Sequence, residues 1–596
     1  MPRRRDSSLA AAELGVQVEL EPFHDDSFPL ASPTSSSSSS SSPDDHDHPD
    51  SPLLQPTSST QPSASSAVPK WLSPPPYASR RGAARHLLHL AHILRPRRSW
   101  RCLAFHLVAL YALVCVLRGE PFFASNLPTG HRYGGAPEAA PYDVGTVDLE
   151  VPLIEPRRLS ETALKASGQP AFVLESVLFS LYYPVARGAR AAAGTSPHLW
   201  VPRPVSLTAA GLARLAHADY FFVRPILTFL LWAVAGRIEI PAKVDAPLLQ
   251  LMATAPGHND TAGLPVVVFS HGMASSRTDY TAYLSALAAR GVVVAALEHR
   301  DGSCPGTSVR VRGKPDRDVL HFDTRHVLST PPMDAPAMKR EQLAFREAEI
   351  REAVKALGAI NDGHGRQVYD QNSRSEGTTL QEWTGRLDLS RLVIAGHSYG
   401  ATGALQALRP DSWSASSSSS SSSDSSSDSE SASAVAPAAG VILDPGKSSG
   451  PLNADVDVPL LVVNSEAWSR GPSPFFGRPH FGTVRDLVAD ALNRTAAAWF
   501  LTARGTAHPS VTDAPLLEPL LLSAVTGARL DARAALAQYV NATAEFLDAV
   551  LPTGASPSHL LAEGVTHEEY GTWVSEEREE AFPNELARLW EVHVAP

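Results

Sequence analysis

The chain has 596 residues, 43% of them hydrophobic, so it is long enough to bury a large core. Its formal net charge of −11 provides no basic face, and no nucleic-acid-binding motif occurs, which argues against nucleic acid as a partner. Three cysteines are too few for a disulfide scaffold or a cysteine-rich metal site.

Residues 1–118 predict three segments ahead of a folded domain. Residues 1–78 are rich in Ser, Pro and Asp without periodicity, which predicts a disordered tail. Residues 79–101 carry seven arginines and no acid, and the apolar stretch 102–118 follows. As a helix its 16 apolar residues, 102–117, span about 24 Å, less than the roughly 30 Å hydrocarbon core, but the flanking arginines can snorkel. We therefore expect a transmembrane signal anchor, with a buried or interfacial helix as the alternative.

The charge asymmetry around this stretch also predicts topology. Because the arginines precede the apolar residues, the N-terminus is expected in the cytosol and the remainder of the chain in a lumen or outside the cell. Glycosylation sequons at Asn259, Asn493 and Asn541 agree with that orientation.

A single domain is expected over residues 140–555, with a C-terminal extension at 556–596. Strand and helix patterns alternate along this domain, which predicts a mostly parallel sheet with flanking helices. The predicted strands are 264–270, 291–297, 391–395, 441–443, 460–463 and 498–502, and the predicted helices are 280–290, 344–360 and 401–408.

Two other segments of this domain have distinctive composition. The serine-rich residues 412–433 predict a disordered insertion. The apolar run 226–235 is too short to span a membrane, so we favour a core or lid helix, with a helix that docks on lipid as the alternative.

Gly396-His397-Ser398-Tyr399-Gly400 stands between a predicted strand and a predicted helix. Glycines at both ends permit the sharp turn that exposes a nucleophilic serine at the edge of a sheet. We therefore expect an α/β-hydrolase fold with Ser398 as the nucleophile.

A serine nucleophile needs a base and an acid, and in the α/β-hydrolase fold both follow it in the chain. His508 follows the last predicted strand, where the base of this fold belongs. Asp444 ends the first predicted strand after the nucleophile and is the favoured acid. Glu466, one strand later, is the alternative.

The predicted strand 264–270 runs into Ser270-His271-Gly272-Met273. A turn there directs the backbone N–H of Met273 into the site, where it pairs with the N–H of Tyr399, the residue after the nucleophile. A two-amide oxyanion hole is expected.

From Pro141 to Leu551 the chain resembles the plasma and type II intracellular platelet-activating-factor acetylhydrolases and their fungal relatives. The matching segments are Tyr142–Leu149, Leu181–Pro184, Leu199–Pro202, Val268–Met273, Glu298–Asp301, Gly396–Gly400, Leu443–Asp444 and Asn464–Glu466. The resemblance supports Asp444 over Glu466 as the acid, and it implies a calcium-independent phospholipase A2-type serine esterase, that is, a 1-alkyl-2-acetylglycerophosphocholine esterase.

This chain departs from the family pattern at two places. Ala401-Thr402 stands where the family often has Gly-Gly, and Pro445-Gly446 replaces an aromatic residue after the acid. Both departures are expected beside the acyl pocket. In the Glu298–Asp301 segment, Arg300 and Asp301 are expected to form a structural ion pair.

The expected reaction is hydrolysis of the sn-2 acetyl or short, oxidised acyl ester of a phospholipid, with no metal and no organic cofactor. The expected partners are the phospholipid and a membrane, and the sequence carries no signal of oligomeric state. The alternatives are a carboxylesterase or lipase that acts on another ester, and a non-catalytic, membrane-anchored binding protein with the same fold.

Overall fold

The computed structural model describes residues 140–250, 263–414, 435–470, 474–475, 478–551 and 559–596. The predicted tail, basic segment and transmembrane anchor lie outside the described residues. In the described part of the chain, no helix combines the length and the apolar character needed to cross a membrane.

The strands are numbered in chain order. They are β1 (Asp143–Arg158), β2 (Ala163–Leu164), β3 (Val173–Val185), β4 (Lys243–Val244), β5 (Leu264–Ser270), β6 (Val293–Leu297), β7 (Gly306–Val309), β8 (Arg317–Leu320), β9 (Val327–Leu328), β10 (Leu387–His397), β11 (Ala439–Leu443), β12 (Leu460–Ser465), β13 (Pro474–Phe475), β14 (Arg478–Pro479), β15 (Ala498–Ala503), β16 (His567–Glu569), β17 (Thr572–Trp573) and β18 (Trp590–Val594).

The helices are numbered in the same way. They are α1 (Val205–Leu215), α2 (Val223–Ala235), α3 (Thr281–Ala288), α4 (Ala335–Ala359), α5 (Gly365–Gln371), α6 (Tyr399–Ala407), α7 (Asp411–Ser414), α8 (Glu466–Arg470), α9 (His480–Thr495), α10 (Ala514–Leu517), α11 (Pro519–Thr526), α12 (Ala532–Val550), α13 (Glu576–Ala581) and α14 (Asn584–Ala587).

One large sheet organises these elements, in the order β18-β15-β12-β11-β10-β5-β6-β3-β1-β4. The strands from β15 to β6 run parallel, whereas β18, β3 and β1 are antiparallel to their inner neighbours. The sheet is covered on both faces, by α3 and α12 on one side and by α4, α6 and α9 on the other. Burial on both faces explains why the central strands are continuous apolar runs.

This topology gathers the carboxyl ends of the parallel strands at one edge. The chain goes from β5 to β6 on one side of β5 and returns to β10 on its other side. In open parallel sheets, ligand sites form at the carboxyl ends of the strands near such a reversal. The residues that follow β5, β10, β11 and β15 therefore meet at one place. The mostly parallel, helix-flanked sheet predicted from the sequence is confirmed.

Two predicted boundaries are wrong. Residues 556–596 are not an appendage, because β18 pairs with β15 and closes one edge of the sheet. The predicted insertion 412–433 begins too early, since residues 412–414 belong to the short helix α7, and its remainder lies outside the described residues. Antiparallel edge strands escaped prediction because the alternation of strand and helix marks only parallel crossovers.

The apolar run 226–235 forms part of α2, and of the predicted core or lid helix the core interpretation is wrong. Ala235 is the buried residue of this helix, and several of its large apolar side chains are exposed. Leu231 lines the cavity described below, so α2 covers part of that cavity. Apolar composition alone does not distinguish a core helix from one whose apolar face is left uncovered.

Candidate active site

Ser398 lies in the turn between β10 and α6. Its backbone has φ 56° and ψ −122°, a conformation that non-glycine residues rarely adopt. A Cβ on Gly396 would lie 2.3 Å from the carbonyl oxygen of Gly400, and a Cβ on Gly400 would lie 2.0 Å from that of Ser270. Glycine at both positions is therefore a steric requirement of this turn.

Ser398, His508 and Asp444 form a hydrogen-bonded series. His508 Nε2 lies 2.9 Å from Ser398 Oγ, and His508 Nδ1 lies 2.9 Å from Asp444 Oδ2. The carboxylate accepts a hydrogen bond from Nδ1–H, so Nε2 is unprotonated and accepts the hydrogen bond of the serine hydroxyl. This arrangement is able to remove the proton of Ser398.

The carboxylate of Asp444 is fixed from its other side. Its Oδ1 accepts a hydrogen bond from the amide of Ser465 at 2.5 Å, and its Oδ2 accepts one from the Ser465 hydroxyl at 2.7 Å. Asp444 has a positive φ of 47°, so this residue also holds an uncommon backbone conformation at the edge of the sheet.

Glu466, the alternative acid, has different partners. Its carboxylate accepts hydrogen bonds from the amide of Gly505 and from Arg529, and it pairs with Arg470. Although burial opposes the charge, these donors lower the pKa of Glu466. Glu466 therefore stabilises the segment just before His508. The His508 imidazole is hydrogen-bonded to Asp444 instead.

Trp468 stacks on the His508 imidazole. The two ring centroids are 3.9 Å apart and the planes meet at 11°. The indole nitrogen donates to the carbonyl of Pro445 at 2.9 Å, and Lys447 Nζ lies 4.4 Å from the indole centroid. Sequence reasoning missed Trp468, although it lies two residues after Glu466, because its contact depends on the fold of α8.

The two expected oxyanion amides belong to the segments that follow β5 and β10, at Met273 and Tyr399. Met273 lines the same cavity as Ser398 and His508. Tyr399 is the first residue of α6, so its amide stands at the positive end of the helix dipole. Both positions suit a developing negative charge on a substrate oxygen.

A cavity of about 340 Å³ opens over these groups. Its wall is predominantly apolar, and Ser398 and His508 are among its polar lining residues. The remaining lining includes Trp200, Val201, Pro202, Leu212, Leu231, Met273, Trp468, Leu522 and Val525.

The two departures from the family pattern contact each other. The amide of Gly446 donates to the hydroxyl of Thr402 at 3.2 Å, and the hydroxyls of Thr402 and Ser449 lie 2.5 Å apart. Neither Ala401-Thr402 nor Pro445-Gly446 is among the residues that line the cavity, so the expectation that they border the acyl pocket is wrong. They stabilise the turn that carries Asp444.

The expected ion pair between Arg300 and Asp301 is also wrong. Arg300 pairs with Glu150, and Asp301 pairs with Arg346 at 2.8 Å. Adjacent side chains project in different directions and so meet different partners.

His299 belongs to a second series with the residue types of a catalytic triad. Its Nε2 lies 2.7 Å from Ser270 Oγ, and its Nδ1 lies 2.6 Å from a carboxylate oxygen of Glu349. All three residues are fully buried, and burial raises the pKa of Glu349 well above its ordinary value. Because Ser270 is closed off from substrate, this series stabilises the core beneath the site.

Among the described residues, one group of side chains has potential metal-ligand geometry. It comprises His397, Asp444 and His508, whose ligand atoms lie within 4.8 Å of one another. Both nitrogens of His397 already have protein hydrogen-bond partners, Tyr280 and the carbonyl of His508. The donor set therefore suits a hydrogen-bond network better than a metal ion.

The family whose sequence model matches is platelet-activating factor acetylhydrolase, isoform II, over residues 165–553. The platelet-activating factor acetylhydrolase of Cavia porcellus is 28% identical over 218 residues, which cover 36% of this chain and 43% of that protein. The Bos taurus protein of the same name is 32% identical over 154 residues, which cover 25% of this chain and 32% of that protein. Each alignment spans less than half of the relative's length.

A solved ferulic acid esterase from Streptomyces cinnamoneus aligns with 72% of this chain and 96% of its own. Its TM-score of 0.41 and sequence identity of 20% are too low to inform the function of this chain.

Proposed function

The chain belongs to the platelet-activating factor acetylhydrolase isoform II family, and on that premise we propose that it is a serine esterase acting on phospholipids. In this proposal it hydrolyses the sn-2 acetyl or short, oxidised acyl ester of molecules resembling platelet-activating factor. The hydrogen-bonded series from Ser398 through His508 to Asp444 supports the proposal most directly.

The reaction begins when Ser398 Oγ attacks the ester carbonyl and His508 Nε2 takes its proton. Asp444 holds the imidazole in the required tautomer and stabilises the imidazolium that forms. The amides of Met273 and Tyr399 stabilise the oxyanion of the tetrahedral intermediate. His508 then protonates the departing lysophospholipid alcohol, and an acyl-enzyme remains.

Water completes the cycle. His508 Nε2 removes a proton from water, the resulting hydroxide attacks the acyl carbonyl, and Ser398 leaves with the proton returned by His508. The described side chains provide every proton transfer in this scheme.

The apolar wall of the cavity supports an acyl or alkyl chain as the group that it receives. Competing ester substrates are separated by kcat/KM on a series of phospholipids with sn-2 chains from acetyl upward. A steep fall with chain length supports the acetylhydrolase assignment. A preference for long chains, or for esters without a phosphate headgroup, favours the lipase or carboxylesterase alternative.

We further propose that the enzyme works on a lipid surface through α2 and the residues just before it. Phe221 is 88% exposed and Phe229 is 62% exposed, while Leu231 on the same helix lines the cavity. The rest of this docking surface consists of Tyr220, Phe222, Ile226, Leu230, Trp232 and Val234. Aromatic and aliphatic side chains of this kind insert at the boundary between lipid headgroups and acyl chains.

We propose that the catalytic domain lies in a lumen or outside the cell and that the segment at 102–118 attaches it to the membrane. The sequon residue Asn493 is exposed on α9, where a glycan has room. Enzymatic removal of N-glycans is expected to increase gel mobility, and Asn493→Gln is expected to abolish part of that change. A protein without glycans would contradict this topology.

A further inference from the structure

One chain of hydrogen bonds joins three segments of the candidate site through side chains that take no part in the proposed reaction. The amide of Gly272 lies 3.1 Å from the hydroxyl of Tyr280, which lies 2.9 Å from Nδ1 of His397. Nε2 of His397 lies 3.0 Å from the carbonyl oxygen of His508. This series of hydrogen bonds thus connects the turn after β5, at Gly272, through His397 to the backbone of His508.

The direction of every bond in this chain is determined. The carbonyl of His508 can only accept, so Nε2 of His397 carries the proton and Nδ1 accepts from the Tyr280 hydroxyl. The Tyr280 oxygen accepts from the amide of Gly272. Burial and the neighbouring His508 hold the pKa of His397 well below its ordinary value, so its ring is neutral.

His271 holds the other side of Gly272. The amide of His299 can only donate, so Nε2 of His271 accepts its proton at 3.1 Å, and Nδ1 of His271 donates to the carbonyl of Gly272 at 2.8 Å. Burial lowers the pKa of His271 to about 4, so this ring is also neutral. His271 carries its proton on Nδ1, whereas His397 carries its proton on Nε2.

These bonds orient the amide of Met273. The peptide that joins Gly272 and Met273 is trans, so its N–H points away from its C=O. Because the C=O faces His271, the N–H of Met273 points away from that buried ring. Within the described ranges of the chain no acceptor takes this N–H, and Met273 lines the cavity.

We propose that Tyr280 and His271 are positioning residues that clamp Gly272 and thereby aim the Met273 amide at the substrate oxyanion. His397 orients the Tyr280 hydroxyl and ties the same clamp to His508. This inference rests on the proposed esterase function. A clamp of this kind lowers the cost of reorganising the hole when charge develops in the transition state.

Tyr283 provides a matched control in α3. Tyr280 and Tyr283 are both 1% exposed, and the Tyr283 hydroxyl lies 2.8 Å from the hydroxyl of Thr543, away from the candidate site. Replacing either tyrosine by phenylalanine removes one buried hydroxyl and keeps the ring. The two variants therefore share the structural loss, and only Tyr280→Phe releases the clamp.

The test measures kcat and KM on a soluble acetyl ester, together with inhibition by an alkyl trifluoromethyl ketone, whose serine adduct carries an oxyanion. Tyr280→Phe is expected to lower kcat by about 10- to 100-fold and to leave KM within about twofold. Binding of the ketone is expected to weaken by about the same factor as kcat/KM falls. Tyr283→Phe is expected to match the wild type in all three. Equal kcat in the two variants, or a kcat loss without weaker ketone binding, would overturn the proposal.

His271 supplies a second test if Tyr280→Phe does not fold. Asparagine places an amide N–H near the position of Nδ1, whereas glutamine places its amide near that of Nε2. His271→Asn is therefore expected to retain at least about tenfold more kcat than His271→Gln. Equal or reversed values would overturn the proposal. If the wild type neither hydrolyses the ester nor reacts with a fluorophosphonate, the proposed function itself has failed.

Discussion

Trp468 and His508 lie face to face, with ring centroids 3.9 Å apart. The indole restricts rotation of the imidazole about the hydrogen bond to Asp444, and its π-face favours the imidazolium that forms in the proposed reaction. Trp468→Phe keeps a smaller ring and loses the hydrogen bond to Pro445. We expect kcat to fall about threefold to tenfold, measured well below the melting temperature.

Trp499→Phe controls for the loss of a buried indole. Trp499 is also buried, and its indole nitrogen donates to the carbonyl of Leu561 at 3.0 Å, away from His508. The melting temperature of Trp499→Phe should be lower than that of the wild type, with little change in kcat. An equal loss of kcat in both variants would argue against a role for the stack.

Neutral replacements of Asp444 and Glu466 show which of the two candidate acids serves His508. Asp444→Asn keeps the shape but presents the wrong hydrogen-bonding groups to His508, so kcat is expected to fall on the order of 10⁴-fold. Glu466→Gln leaves the hydrogen bonds of His508 intact and weakens the bonds to Arg470 and Arg529. It is expected to lower the free energy of unfolding by about 1–3 kcal/mol with little change in kcat. The opposite pattern would make Glu466 the acid.

Asp279 gives stability a dependence on pH. Burial, together with the nearby Glu298 carboxylate, raises the pKa of Asp279 from 3.8 to about 7 in the folded protein. The protonated carboxyl therefore stabilises the fold fully below pH 4, and this contribution is lost as the pH rises through about 7. Asparagine imitates the protonated form, so Asp279→Asn should be more stable than the wild type above pH 7 and similar to it near pH 4.

This difference is measured by denaturant unfolding of both proteins from pH 4 to pH 9. A difference that does not change with pH would show that Asp279 is ionised throughout in the folded state. The amide of Ser276 donates to this carboxylate at 2.7 Å and remains satisfied by the asparagine oxygen.

The proposed docking surface is tested by Phe221→Ser combined with Phe229→Ser. Loss of exposed apolar area should weaken binding to phosphatidylcholine vesicles and lower activity on substrate in those vesicles, while activity on a soluble ester is retained. Ile154→Ser is the control, since Ile154 is fully exposed in β1 and does not belong to this surface. Equal vesicle binding by all three proteins would contradict docking through α2.

Sequence patterns predicted the centre of the fold better than its edges. The strand expected at residues 264–270 is β5, and four other predicted strands lie within parallel strands of the sheet. The strand expected at 291–297 corresponds to β6, which begins two residues later, at Val293. Continuous apolar runs mark such strands because both faces are buried. β18 was missed because its pairing with β15 joins residues distant in sequence.

The same limit applies to the candidate site. Ser398, His508 and Asp444 each follow a strand of the parallel sheet, and the fold brings their side chains together. Local patterns therefore sufficed to select them. Trp468 and Tyr280 contact the site through side chains whose directions depend on α8 and on the turn before α3, so no local spacing identified them.

The proposed role of Ser398 as the nucleophile is tested most directly by the site of reaction with a fluorophosphonate, found by mass spectrometry of the labelled peptides. Ser270 is an internal control, because it has a histidine and a carboxyl partner but is fully buried. We expect one label per chain, on Ser398, that disappears in Ser398→Ala and persists in Ser270→Ala. No label on the folded wild-type protein, or equal labelling of Ser398→Ala, would contradict the proposed role of Ser398.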